Sequence, residues 1–121
     1  MQVIKIFRFL PKTEEARIIG KQLLRSSTSV ATNYRAACRA RSHAEFISKI
    51  GVVVEEADET VFWMELLIEG SIFDTKDLHE ALTEAKELLA IFASSQITAK
   101  FGKKPNVFND PMNQSYNAAI L

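Results

Sequence analysis

The sequence predicts an all-α protein, a bundle of three long amphipathic helices and a short first one. Three observations carry that expectation. Glycine and proline are scarce, with four and three among 121 residues, while a quarter of the chain is charged, the composition of helical soluble domains. Apolar residues recur at spacings of three and four through most of the chain. Each long periodic stretch opens on a Ser, Thr or Asp suited to capping a helix.

The elements follow in order. In "MQVIKIFRFLP", Val3, Ile4, Phe7 and Leu10 have helical spacing and Pro11 ends the run. In "KTEEARIIG", Thr13 is the expected cap, with Glu14 and Glu15 in the first turn where the helix dipole favours negative charge. Ala16, Ile19, Leu23, Ser27, Val30, Tyr34 and Ala37 then mark one face of a long helix. At "SHAEF" Ser42 precedes Glu45 by three residues, a capping box that starts the next helix. That helix, from Ser42 to about Glu69, has its core stripe at Phe46, Ile50, Val53, Val54, Ala57, Val61, Met64 and Ile68. "EGSIFDTKD" is a turn with Asp74 or Thr75 as cap, and Leu78, Leu82, Ala85, Leu89 and Phe92 are the stripe of the last helix. Residues 1–101 are thus expected to form the bundle. Residues 102–121, where periodicity is lost and Pro, Asn and Gly appear, are expected to form an extended or mobile tail.

Length and composition limit the function classes. The chain fits one domain burying roughly 65% of its unfolded surface. One cysteine, Cys38, offers no internal bridge and suggests a reducing compartment, hence the cytoplasm. No apolar run reaches the ~20 residues of a membrane span. Net charge is zero but unevenly spread: +7 over residues 1–41, −9 over residues 42–91 and +2 thereafter. Such asymmetry suits an anionic partner, or basic and acidic helices lying side by side.

Chemical motifs are sparse. His43, Cys38 and Glu45 are close in sequence, yet no second Cys/His pair stands at zinc-ligand spacing. His79 lacks the second histidine of a zinc-protease helix, "RSSTSVATN" has no base at a recognisable spacing, and there is no phosphate-binding glycine loop. The sequence therefore points to a non-enzymatic protein without metal or cofactor.

Two surface features remain. Arg17, Lys21, Arg25, Arg35 and Arg39 fall on one side of the second helix, with Thr28 and Thr32 between them and Arg41 at the corner beyond. Such a basic ridge suits nucleic-acid phosphates. On the third helix, Val52, Phe62, Trp63 and Leu66 fall opposite the core stripe among Glu55, Glu56 and Glu59. A second apolar face calls for a second partner, so Val52, Glu55, Glu59, Phe62, Trp63 and Leu66 are the expected oligomer interface. Glu55 and Glu59 are also expected to compete for the arginines between subunits.

The stretch "LLRSSTSVATNYRAACRARSHAEFISKIGVVVEEADETVFWMELL", with the loop and leucine-rich helix after it, resembles the 23S rRNA intervening-sequence protein family from about Phe7 to Phe101. The resemblance implies an up-and-down antiparallel four-helix bundle, here with a short first helix, that assembles as a homopentameric ring. Accessory proteins of diversity-generating retroelements look like relatives, which implies RNA or another nucleic acid, or a protein such as a reverse transcriptase, as partner. A ring-shaped interaction scaffold without nucleic-acid contact is the alternative, and an enzyme with a polar pocket inside the bundle is a third class.

Overall fold

The structure, a computed structural model, describes residues 2–102. Four helices follow one another: α1 (Gln2–Phe9), α2 (Glu14–Cys38), α3 (His43–Glu69) and α4 (Lys76–Phe101). They form a four-helix bundle in which α3 lies between α2 and α4, while α1 leans on α2 and α4 at one end. At 1.5 Å per residue α1 is about 12 Å long and the others about 40 Å, so α1 spans only part of the bundle. Most of the expected tail, residues 103–121, lies outside the described residues; Gly102 ends α4, its amide bonded to the Thr98 carbonyl at 2.8 Å.

The caps explain where the helices begin. Thr13 accepts from the Ala16 amide at 3.3 Å, and Thr75, not Asp74, accepts from the Leu78 amide at 3.2 Å. Asp74 instead bonds the exposed His79 ring at 2.6 Å. Ser42 accepts from the Glu45 amide at 3.0 Å, but the Glu45 carboxylate reaches the Arg41 amide, at 3.4 Å, rather than that of Ser42. The corner is half a capping box. α3 ends in a Schellman motif, with the Ile72 amide on the Leu67 carbonyl and the Ser71 amide on that of Ile68, both at 3.0 Å. Ser71 takes the left-handed position, at φ 55°.

Two apolar clusters make the core. The lower one joins Val3, Ile6 and Leu10 of α1 and its turn to Ile19, Leu23, Met64, Leu67, Leu78 and Leu82. The upper one gathers Val30, Tyr34, Ala37, Phe46, Ile50, Val53 and Phe92. Between them lie three buried hydroxyls, Ser26, Ser27 and Thr60. α1 approaches α2 closely at Gly20, where a Cβ would stand 2.5 Å from a Leu10 methyl.

The expected stripes are shifted at several positions. On α3, Thr60 and Leu67 are buried while Val54 and Ile68 are half-buried. The cause is α3's place between two helices, which widens its buried arc towards α2. Ile6 of α1 and Ala81, Leu88 and Ala99 of α4 are also buried, and Leu89 is half-buried against both clusters.

Candidate nucleic-acid interface

α2 buries small or apolar residues on its inner face, and the hydroxyls of its outer face bond back into its own turns. Thr28 Oγ1 donates towards the Leu24 and Arg25 carbonyls at 2.8 and 3.0 Å. Thr32 Oγ1 does the same towards Thr28 and Ser29, at 3.2 Å each. Their hydrogens committed inward, both oxygens face outward as acceptors.

Around them stand the cations. Arg17, Lys21, Arg35, Arg39 and Arg41 are exposed. Arg35 lies eighteen residues beyond Arg17, five turns of 3.6 residues, and Arg39 the same distance beyond Lys21. Two basic pairs thus stand near the two ends of α2, about 27 Å apart, the second completed by Arg39 at the C-cap just beyond the helix. Among the described residues Lys21, Arg35, Arg39 and Arg41 make no ion pair, whereas Arg17 meets Glu14 at 2.9 Å, both side chains well exposed.

Arg25 departs from the expectation. Its guanidinium turns to α3, bonding Glu59 and, at 3.1 Å, Glu56. The hydrogen bond to Glu59 comes first, and the charges of Glu59 and Glu56 after it, in holding this guanidinium above its ordinary pKa. The pairing is within one chain, where the sequence suggested acids of a neighbouring subunit. Glu56 was missed as the partner and Glu55, exposed, makes no ion pair among the described residues. Among the described residues the ridge is therefore a basic end at Arg35, Arg39 and Arg41, a first end where Lys21 stands without an ion pair and Arg17 shares an exposed one with Glu14, and a middle whose cation, Arg25, is neutralised.

The expected oligomer face is also uneven. Phe62 is 52% exposed and stacks edge-on against Trp63, ring centroids 4.9 Å apart. Trp63 and Leu66 are not free surface: both are half-buried against the lower cluster, and the Trp63 Nε1 is buried with no hydrogen-bond partner among the described residues. Val52 is half-buried and Glu59 holds Arg25.

The histidine, cysteine and glutamate of the corner do not converge. His43 Nε2 donates to the Ala99 carbonyl at 2.7 Å, pinning the start of α3 to the end of α4. Glu45 caps, and Cys38 is half-buried beside the upper cluster. Among the described residues no group of three or more His, Cys, Asp or Glu side chains is placed to hold a metal ion. No helix there is long and apolar enough to cross a membrane.

A family model described as 23S rRNA-intervening sequence protein matches residues 1–94. The chain belongs to that family. Among solved structures it is similar to the crystal structure of a protein with unknown function from the S23 ribosomal protein family of Bacteroides thetaiotaomicron. The two are 30% identical, the match covers 78% of this chain and 88% of that one, and the TM-score is 0.71. No curated protein matches the chain. In this member of the 23S rRNA-intervening sequence protein family, the matched span contains both basic pairs, Arg41 and the whole α3 face.

Proposed function

We propose that this protein is a non-enzymatic, RNA-associated accessory factor of the cytoplasm that binds the phosphate backbone through the outer face of α2. The observation that carries the reading is the set of exposed cations Lys21, Arg35, Arg39 and Arg41, without ion pairs among the described residues, in a chain whose net charge is zero. Acidic side chains are plentiful on α3 and α4, yet α3 takes up only Arg25 of the ridge. The family's description refers to an intervening sequence of 23S rRNA and names no binding partner, so the RNA reading rests on the cations. Exposed cations alone are ordinary on a helix; cations left aligned in one register are what backbone binding uses.

The protein acts as a homo-oligomer, a pentameric ring in this reading, because one ridge makes few contacts and several copies on one nucleic acid raise the effective concentration. Phe62 supports that assembly, and equally supports the second reading, a ring-shaped scaffold for a partner protein such as a reverse transcriptase. The two separate in one experiment. RNA binding by the wild type and by Arg35→Glu/Arg39→Glu is measured at low and high salt, with oligomer mass checked in both. Steep loss with salt and loss in the variant, mass unchanged, supports backbone binding. No binding by the wild type at low salt leaves the scaffold.

A further inference from the structure

We propose that α2 recognises double-stranded RNA, laid across its minor groove with the two basic pairs on the flanking phosphate strands and Thr28 and Thr32 on ribose 2′-hydroxyls. This rests on the backbone-binding reading above and specifies its ligand.

Single strands fit poorly. Proteins that hold them set aromatic side chains beside the cations as platforms for unstacked bases. The one aromatic residue of α2, Tyr34, is 3% exposed, its ring packed against Phe92. Among the described residues, the exposed aromatics Phe9, Phe62 and Phe101 sit on other helices.

A duplex fits the spacing of charge. A rigid rod against a duplex meets phosphate only where a strand crosses its line, and spans a groove between crossings. The spacing supplies that pattern: Lys21 with Arg17, whose exposed pair with Glu14 can exchange for phosphate, then about 27 Å further on Arg35 and, at the C-cap, Arg39. Between them the single cation, Arg25, is covered by Glu56 and Glu59, so a phosphate strand is disfavoured there and a groove is not.

The hydroxyls select RNA. The minor groove of an RNA duplex is wide and shallow and displays 2′-hydroxyls, which DNA lacks. Thr28 and Thr32, one turn apart in the middle of the rod, direct their hydrogens to helix carbonyls and present oxygen acceptors. A 2′-hydroxyl donates to such an oxygen, and a DNA sugar has nothing to give it.

The test is fluorescence anisotropy of the full-length protein, in its native assembly at low salt. The probes are an RNA duplex of about 20 base pairs, longer than the roughly 16 spanned by a common double-stranded RNA module, the DNA duplex of the same sequence, and one RNA strand alone. The RNA duplex is expected to bind about tenfold more tightly than either of the others, the value of two modest hydrogen bonds. Thr28→Val/Thr32→Val, which preserves side-chain shape, should bring RNA-duplex affinity down to that for DNA. Thr28→Ala/Thr32→Ala, with better helix formers, repeats the measurement should valine disturb α2. Equal binding of the two duplexes, tighter binding of the single strand, or an RNA preference that survives both double variants overturns the inference while leaving backbone binding in place. Failure of every probe to bind the wild type at low salt overturns both.

Discussion

Arg25 of α2 and Glu59 of α3 are joined side chain to side chain across the outside of the bundle, and Glu56, one turn earlier, grips the same guanidinium at 3.1 Å. This triad carries net negative charge at the middle of an otherwise basic face. Glu56→Gln/Glu59→Gln removes two negative charges beside the bound nucleic acid, so affinity should rise by several fold, with the salt slope nearly unchanged because no phosphate strand crosses the centre of α2. The pairs are at the surface and their loss should hardly move the denaturation midpoint. Unchanged affinity in a salt titration would place the nucleic acid away from the centre of α2.

At the C-terminal end of α3, Ser71 occupies the left-handed position of the Schellman motif that glycine usually fills, while Gly70 before it has an ordinary φ of −80°. A side chain in the left-handed region costs about 1–2 kcal/mol. Ser71→Gly should therefore stabilise the protein, by about 0.5–1 kcal/mol once glycine's greater freedom in the unfolded chain is counted. Urea denaturation measures it, and a destabilised variant would mean that the serine hydroxyl does something at this turn that the backbone does not.

Gly20 sets the distance between α1 and α2. An added Cβ meets the far end of the Leu10 side chain at 2.5 Å and Phe7 at 3.3 Å. Leu10 can rotate away from a methyl group, and alanine regains about 1 kcal/mol of helix propensity. Gly20→Ala is thus expected to be near neutral. Gly20→Val adds bulk that a buried neighbour must absorb, with an expected loss of about 1–3 kcal/mol. Thermal melts followed by circular dichroism distinguish the two, and equal melting temperatures would show that α1 docks loosely.

The bundle was legible because its helices are strongly periodic and its caps sit at their starts; Thr13 and Ser42 cap where the sequence places them. What escaped was relational. Thr60 reads as a polar position, yet it is buried against Ser26, 2.9 Å away, because a hairpin folded at Arg41 and Ser42 sets these two residues opposite each other. The same fold sets residue 25 opposite residues 56 to 59, which would have found Glu56; a helical projection of α3 by itself has no knowledge of α2. Trp63 reads as an outward position for a related reason. Its position lies far from the stripe, but a long side chain on a helix flanked on two sides reaches back to the core.

That placement makes Phe62 and Trp63 separable probes of assembly. Phe62, 52% exposed, contributes little to the lower cluster, whereas Trp63 packs on it. Phe62→Glu sets a charge on the outer face without opening the core, so helicity and melting should be close to wild type while light scattering reports a smaller particle. Trp63→Glu drives a carboxylate against Met64, Leu67 and their neighbours, and should lower stability by a few kcal/mol whatever the oligomeric state. Comparing the two isolates the interface from the fold. A smaller particle from Phe62→Glu, together with weaker RNA binding at unchanged α2 sequence, would tie affinity to the number of ridges held on one assembly. An unchanged mass would remove the Phe62 face from the interface; a monomeric wild type would then leave the basic faces of α2 to act one at a time, and an oligomeric one would be held by another face.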